Sequence, residues 1–304
     1  MNRRRFLRDS GATALGAALL PAYTVSSAAP VLTRPIPSSG ERIPAVGLGT
    51  WQTFDVGTDR ALREQRGETL RAFVDAGGTV VDSSPMYGSS ERVVGDLVQA
   101  EGLRDRLWLA TKVWTSGETA GVRQMTESMA LLRTPRLELM QVHNLLDWRT
   151  HLKTLRGWKE EGRVRYIGVT HYLASAHDQV ERIVREERLD FVQLNLSLDE
   201  PEAASRVLDT CAERGVAFIA NRPFGGGGSF ARARGKALPT WAADYDVQSW
   251  AQFMLKWILS HEAVTCAIPG TSRAAHVVDN VGGATGRLPD ARARDRMAAA
   301  WRAL

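Results

Sequence analysis

The sequence is poor in cysteine and has no long hydrophobic run, and each shortage excludes a class of protein. Cys211 and Cys266 are its only cysteines, and they have neither CxxC nor other ligand-like spacing. We therefore predict no disulfide framework and no metal site, and we expect both thiols to be ordinary packing residues. The apolar stretch from Gly11 to Leu20 is well short of the ~20 residues that span a bilayer, so we predict no membrane-spanning segment.

The chain has little excess of either charge once its N-terminus is set aside. The formal net charge is +5, but residues 1–29 hold four arginines against one aspartate and contribute +3, which leaves +2 for the rest. So small an excess predicts no nucleic-acid partner.

The N-terminal residues have the pattern of a twin-arginine signal peptide. Asn2-Arg-Arg-Arg-Phe-Leu-Arg8 precedes the apolar stretch, and small residues from Val25 to Ala29 follow it. This order predicts a signal peptide over 1–29, export to the periplasm or medium, and a mature domain over 30–304. A disordered basic tail is the alternative.

No GxGxxG motif opens the first helix, which argues against a doubly wound nucleotide-binding sheet. Short apolar runs instead alternate with amphipathic stretches. The predicted strands cover 45–50, 79–82, 107–112, 137–142, 164–169, 191–194, 216–220 and 264–268. The predicted helices include 66–76, 91–100, 122–132, 152–161, 174–187 and 202–214. Eight such units in about 250 residues predict an α/β fold, a single (β/α)8 TIM barrel. The Pro37–Gly40 turn predicts a short N-terminal hairpin below it.

Reactive side chains stand at the carboxyl ends of successive predicted strands, where barrel enzymes keep their active sites. Asp82 and Tyr87 follow the second strand, Lys112 ends the third and His143 the fourth. A hydride added to a carbonyl carbon leaves an alkoxide, which a tyrosine with a lowered pKa protonates. We expect Lys112 to lower the pKa of Tyr87, Asp82 to orient Lys112, and His143 to hydrogen-bond the carbonyl oxygen or relay the proton. Each residue alone has a structural explanation, and only the conjunction favours catalysis.

These segments resemble the aldo-keto reductase family over roughly residues 40–285. The matching runs are Val81–Glu91, Ala110–Trp114, Gln141–His143, Tyr166–Tyr172, Val192–Asn195 and Ile268–Arg273. The resemblance implies a (β/α)8 barrel that reduces aldehydes or ketones, with Asp82, Tyr87, Lys112 and His143 as its catalytic tetrad. It also implies NADPH or, less often, NADH as cofactor, and a monomer.

The resemblance extends only partly to the cofactor positions. Gln193 matches the glutamine that holds the nicotinamide carboxamide, but Thr170-His171 replaces the usual Ser-Asn pair. Asn221 occupies the position of the ring-stacking tyrosine, so the resemblance leaves stacking to Phe224 or Arg222. Gly270 replaces a frequent lysine, and the residues after it are expected at the 2′-phosphate or ribose, which favours NADPH. The implied cofactor contacts are Thr50, Trp51, Asp82, Thr170, His171, Gln193, Asn221, Arg222, Pro223, Phe224, Thr271, Ser272, Arg273, Asp279 and Asn280.

Aromatic side chains on the strand-end loops predict a substrate pocket for an apolar or planar carbonyl compound. We expect Trp51, Phe54, Trp114 and Trp148 to form its aromatic wall, with Tyr172 nearby, and His143 to contact the substrate. Core packing is the alternative for each aromatic residue. The Gly225–Gly228 run is either a phosphate-binding loop or a flexible linker.

Two other functions remain open on the sequence alone. One is a nicotinamide-nucleotide sensor or auxiliary subunit with little turnover, which the altered cofactor positions allow. The other is a periplasmic binding or scaffold barrel without a cofactor, against which Gln193, Arg273 and the intact tetrad argue.

Overall fold

The computed structural model describes residues 30–304, so the predicted signal peptide at 1–29 lies outside the described residues. Residues 30–304 form ten strands and ten α-helices. The strands are β1 Thr33–Pro35, β2 Arg42–Pro44, β3 Leu48–Gly49, β4 Val80–Asp82, β5 Trp108–Val113, β6 Leu137–His143, β7 Val164–Thr170, β8 Phe191–Asn195, β9 Ala217–Asn221 and β10 Val264–Ala267. The helices are α1 Arg60–Asp75, α2 Ser90–Ala100, α3 Glu118–Leu131, α4 Trp148–Glu160, α5 His177–Glu186, α6 Val207–Arg214, α7 Ser229–Ala233, α8 Trp250–Leu259, α9 Ala274–Gly282 and α10 Ala291–Arg302.

Strands β3 to β10 make one parallel sheet in chain order. Isolated parallel bridges from Val46 to Ala267 and from Gly49 to Gly270 join the segment around its first strand to the segment around its last. A Cβ on Gly49 would lie 2.8 Å from the carbonyl oxygen of Ile268, so only glycine allows this approach. The sheet is thus closed into the predicted (β/α)8 barrel. Because all eight strands run the same way, their carboxyl ends meet at one rim.

The predicted N-terminal hairpin is present at the opposite end. Strands β1 and β2 pair antiparallel from Thr33↔Pro44 to Pro35↔Arg42. Ile36 and Ile43 are buried with Trp108, Tyr166 and Phe191 in the apolar cluster that fills the barrel interior. The hairpin therefore closes the end of the barrel opposite the rim where the carboxyl ends of the strands meet.

Several helices differ from the sequence-based boundaries. Helix α1 begins at Arg60, six residues before the prediction, because the side chain of Asp59 caps it by accepting a hydrogen bond from the Leu62 amide. The predicted helix over 202–214 is instead a 3₁₀ turn at Glu202–Ser205 followed by α6. No bounds were predicted for helices α7 to α10. No helix within 30–304 combines the length and apolar character needed to cross a bilayer.

The contact between α2 and α3 supplies a stability test. A Cβ on Gly95 would lie 2.0 Å from the carbonyl oxygen of Leu131 and 2.8 Å from Cα of Leu132. We expect Gly95→Ala to lower the free energy of unfolding by about 3 kcal/mol, because the two helices must separate. Urea denaturation of the mature chain measures the change.

Gly157 is the matched control for this substitution. It lies within α4, and a Cβ there would meet nothing within 4 Å. Gly157→Ala should raise the free energy of unfolding by roughly 0.5–1 kcal/mol through helix propensity alone. Equal effects of the two substitutions would contradict the close packing of α2 on α3.

Candidate active site

The rim of the barrel holds a buried ion pair between neighbouring strands. Lys112 on β5 donates from Nζ to Asp82 Oδ2 at 2.6 Å and to the carbonyl oxygen of Ser83 at 2.7 Å. Both charged side chains are almost fully buried. Burial lowers the pKa of Lys112, but the charge of Asp82 and the neighbouring Tyr87 outweigh it, so the pKa is raised overall. The ammonium is therefore held charged despite its burial.

The second oxygen of Asp82 is fixed by two amide side chains. Oδ1 accepts from Gln193 Nε2 at 3.0 Å and from Gln141 Nε2 at 3.3 Å. Gln193 also lies 3.4 Å from the Oε1 of Gln141. A buried carboxylate needs all its lone pairs satisfied, and these donors hold Asp82 facing Lys112. Sequence reasoning did not assign a role to Gln141, although its inward position on β6 two residues before His143 was the available signal.

Tyr87 lies on the loop after β4, beside this ion pair. Its ring centroid is 4.9 Å from Lys112 Nζ, and its ring meets that of His143 edge-on at 5.8 Å. The expectation of a lowered tyrosine pKa is not met. Burial raises the pKa of Tyr87 above its ordinary value, while the charge of Lys112 only partly opposes the rise. Tyr87 is therefore protonated at neutral pH.

His143 ends β6 and is buried as a neutral ring. Burial lowers its pKa to about 2, with the positive charge of Lys112 and the nearby His171 acting in the same direction. Its Nδ1 lies 2.9 Å from the Ser84 hydroxyl, and its ring centroid is 6.5 Å from that of Trp114. A ring that stays neutral in the physiological range is suited to hydrogen-bonding a carbonyl oxygen, and less so to relaying a proton.

The expected nicotinamide end lies at β7, β8 and β9. Gln193 Oε1 accepts from the Thr170 hydroxyl at 3.3 Å and from Asn221 Nδ2 at 3.4 Å, and Asn221 also donates to the His171 carbonyl at 3.0 Å. Oδ1 of Asn221 and Nε of Arg222 are buried without a partner within 30–304. These orphaned atoms mark the end of β9 as a place where a bound group finds both an acceptor and a donor.

The segment after β9 folds over this end. Arg222 has a left-handed backbone with φ of 49°, and its guanidinium lies 5.7 Å from the ring centroid of Tyr172. Pro223 and Phe224 are buried, and Phe224 packs on Phe230 at 4.9 Å between ring centroids. Of the two stacking candidates, the guanidinium of Arg222 is thus the less enclosed.

The expected adenosine end follows β10. Arg273 is exposed, Thr271 and Asn280 are buried, and Ser272 uses its carbonyl to accept from the Thr69 hydroxyl at 3.0 Å. Asp279 accepts from the Ser249 hydroxyl at 2.7 Å and from Gln252 Nε2 at 2.8 Å. Its carboxylate therefore ties α9 to the start of α8 in this structure. Arg273 is the positively charged residue of this group, and it is exposed to solvent.

The aromatic residues divide into an exposed rim and a buried set. Trp51, Trp114 and Tyr172 are each about two-fifths exposed. Phe54 is fully buried and Trp148 nearly so, both in the hydrophobic core. Phe54 thus follows the core-packing alternative. Thr50, next to Trp51, is buried and donates to the Ser83 hydroxyl at 3.0 Å.

Cys211 and Cys266 are both free and buried, and burial raises the pKa of each thiol. Both pack inside the fold as predicted. Within the described residues, no group of three or more His, Cys, Asp or Glu side chains is arranged to hold a metal ion.

Comparison with known proteins agrees with this architecture. A model of the aldo/keto reductase family matches residues 45–296. Methylglyoxal reductase YeaE of Escherichia coli strain K12 is 27% identical over 245 residues, which cover 78% of this chain and 84% of that protein. Aldo-keto reductase str7 of Strobilurus tenacellus is 25% identical over 268 residues, or 75% and 78% of the two chains.

The fold is also found in solved reductases. A Klebsiella pneumoniae aldo/keto reductase in complex with NADP and acetate superposes with a TM-score of 0.72 at 25% identity, over 86% of this chain and 93% of that one. The thermostable aldo-keto reductase Tm1743, solved with the inhibitor epalrestat, gives 0.74 at 22% identity, over 88% and 99%. The chain therefore belongs to the aldo/keto reductase family, whose members generally carry out NAD(P)H-dependent carbonyl reduction.

Proposed function

We propose that this protein reduces an aldehyde or ketone to the alcohol with NADPH, and that Tyr87 is the general acid. The observation that carries the proposal is the buried Lys112, held charged by Asp82 and lying 4.9 Å from the ring of Tyr87. A buried ammonium has no structural need for a tyrosine beside it, but it stabilises the tyrosinate that remains after proton donation. NADPH, when bound, supplies the hydride to the carbonyl carbon.

The residues of this chain manage the proton and the developing negative charge. Because Tyr87 is protonated at neutral pH, it holds at Oη the proton that the alkoxide needs. His143 is neutral and available to hydrogen-bond the same oxygen. Asp82 cannot compete for the proton, because its oxygens are already occupied by Lys112, Gln141 and Gln193.

The described residues fit a nicotinamide nucleotide. The orphaned Asn221 Oδ1 and Arg222 Nε offer one acceptor and one donor beside Gln193, and a carboxamide carries both complementary groups. We assign the 2′-phosphate to Arg273, because this residue is exposed. Its planar guanidinium can bind a phosphate through two N–H groups. NADH lacks this phosphate and is the weaker candidate.

The substrate that we propose is a small apolar or planar carbonyl compound. The exposed Trp51, Trp114 and Tyr172 form an aromatic rim, and Trp114 lies against His143. Aromatic side chains at a pocket mouth favour planar, weakly polar ligands. The similarity to a protein named methylglyoxal reductase adds dicarbonyls to the compounds to be tried.

NADPH oxidation by the mature protein tests the proposal, with small aldehydes, dicarbonyls and aromatic ketones as substrates and NADH as the alternative cofactor. Turnover of any of these supports a reductase. Binding of NADPH without turnover would instead support the sensor or auxiliary subunit. Absence of binding would leave a barrel that uses no nucleotide.

The pH dependence of reduction follows from the pKa shifts. The pKa of Tyr87 is raised and that of His143 is lowered to about 2, so neither group changes its charge near neutrality. We expect kcat for reduction to be constant from about pH 5 to about pH 9, and to fall above about pH 10 as Tyr87 loses its proton.

Circular dichroism over the same range is the control that separates titration from unfolding. A loss of kcat centred near pH 6.5, the value of an unperturbed histidine, would contradict a permanently neutral His143.

We also propose that residues 1–29 direct export by the twin-arginine route. The support is the order Arg3-Arg4-Arg5-Phe6-Leu7 followed by an apolar stretch and small residues. Replacing both Arg3 and Arg4 with lysine keeps the charge and should retain the protein in the cytoplasm. Immunoblots of cell fractions measure the distribution, with the substitution Arg302→Lys, at an exposed arginine outside the signal, as the control. Export of the double variant at the wild-type level would refute the route.

For the mature protein we propose a monomer, a state that sedimentation of the purified chain decides. A stable dimer at micromolar concentration would overturn it.

A further inference from the structure

The hydroxyl of Ser84 contacts the imidazole ring of His143 in the buried site. The family resemblance did not predict this contact. Ser84 is fully buried two residues after Asp82, and its Oγ lies 2.9 Å from His143 Nδ1. A neutral imidazole carries one proton, on either Nδ1 or Nε2. The partner at Nδ1 decides which nitrogen keeps it.

The hydrogen bonds around Ser84 determine which ring nitrogen of His143 carries the proton. The Met86 amide donates to Ser84 Oγ at 3.3 Å, so the hydroxyl oxygen already accepts one hydrogen bond. If Nδ1 carried the proton, it would donate to the same oxygen, and the hydroxyl hydrogen would have no acceptor among residues 30–304. A buried donor without an acceptor destabilises the folded protein. If the hydroxyl donates to Nδ1 instead, every group is satisfied.

We propose that Ser84 is a positioning residue that fixes His143 in the tautomer with its proton on Nε2. Nε2 makes no hydrogen bond within residues 30–304, so its N–H is available to a bound molecule. The inference rests on the proposed function in one respect, that the molecule is the carbonyl substrate. In that case Ser84 makes His143 a hydrogen-bond donor to the carbonyl oxygen, and Tyr87 alone transfers the proton.

The consequence for kinetics is specific. A neutral N–H donor binds the oxygen more strongly as negative charge develops on it, so the interaction belongs mainly to the transition state. Removing the Ser84 hydroxyl should therefore lower kcat by roughly tenfold, the loss expected for one hydrogen bond of about 1.4 kcal/mol. KM for the carbonyl compound should change by less than about twofold.

Nitrogen NMR of the histidine rings reads the tautomer directly and does not depend on activity. The chain has six histidines, and the His143→Gln variant identifies the signals of His143. In the wild-type protein at neutral pH, we expect a protonated Nε2 and an unprotonated, hydrogen-bonded Nδ1. Ser84→Ala should shift the Nδ1 signal toward that of a nitrogen without a donor.

Ser83→Ala is the matched control for this measurement. Ser83 is equally buried and adjacent in sequence, but its hydroxyl accepts from Thr50 and does not reach His143. It should leave the His143 nitrogen signals unchanged. This control separates a specific hydrogen bond from general loosening of the loop.

Three results would overturn the inference. They are a protonated Nδ1 in the wild-type protein, His143 signals that Ser84→Ala does not move, or an equal response to Ser83→Ala. The first needs no variant, so a variant that fails to fold does not obscure the answer. If the wild-type protein reduces no carbonyl compound yet the NMR result is as expected, the proposed reductase function fails while Ser84 still sets the tautomer.

Discussion

Tyr87→Phe should lower kcat for carbonyl reduction by about a thousandfold, the middle of the range for a lost general acid. The substitution removes only the hydroxyl group, so the ring still covers Lys112 and still meets His143 edge-on. The affinity for NADPH, measured by fluorescence titration, should stay within about twofold, because the Tyr87 hydroxyl is proposed to donate a proton to the substrate and not to bind the cofactor. Loss of rate with intact binding therefore isolates proton donation.

Tyr166→Phe is the control for this prediction. Tyr166 is also a buried tyrosine of the barrel, but its hydroxyl lies 2.8 Å from Ser39 and 2.5 Å from Glu41 at the hairpin end. Its removal should leave kcat near the wild-type value. A Tyr87→Phe variant that kept most of its activity would mean that another group supplies the proton.

Lys112→Met should produce the largest loss of stability in the site, together with loss of turnover. The side chain of Lys112 is fully buried, and its partner Asp82 nearly so. Removing the ammonium leaves the carboxylate buried without its counter-charge, which typically costs about 3–5 kcal/mol. Urea denaturation measures the fall in the free energy of unfolding, and NADPH oxidation measures activity.

The double variant Asp82→Asn with Lys112→Met distinguishes the two effects. In the wild-type protein, Gln141 and Gln193 both donate to Oδ1 of Asp82, and the asparagine oxygen can still accept from them. Most of the stability should therefore return, while turnover stays lost. Arg71→Met, which removes an exposed partner of Glu101, should cost less than about 1 kcal/mol. Equal losses from Lys112→Met and Arg71→Met would contradict the buried pair.

The barrel and the residues at its rim were predictable from sequence for a physical reason. Strands buried on both faces read as short apolar runs, and their carboxyl ends must meet at one rim. Asp82 and Lys112 could therefore be paired before the structure was known. The parallel register of β4 with β5 then brings them to 2.6 Å.

Two of the helices that were not predicted, α7 and α8, lack the amphipathic period by which a helix is found in a sequence. Helix α8 is buried along nearly its whole length, so it shows no polar face and no clear 3.6-residue period. Helix α7 is one turn long, too short to carry any period.

The pKa values and the solvent exposure of individual side chains depend on how deeply the fold buries them, which cannot be inferred from the sequence. Nearness to Lys112 alone predicts a lowered pKa for Tyr87, but burial outweighs that charge. Likewise, Phe54 and Trp51 are similar residues in one loop, yet the first is fully buried and the second is exposed. The Ser84 contact needs the loop after β4 to reach across to the end of β6, which no local pattern specifies.

The N-terminal hairpin ties the start of the described chain to its end. The Arg34 guanidinium donates to the carbonyl oxygens of Leu259, His261 and Val264, which lie 225 to 230 residues away, and the Leu32 amide donates to that of Ala284. During synthesis these partners emerge 225 to 230 residues after Arg34, so the hairpin lacks these contacts until they follow. Contacts of such high sequence separation slow folding. Barrel closure is therefore a late step of folding, and the apolar side chains of Ile36 and Ile43 remain exposed until it occurs.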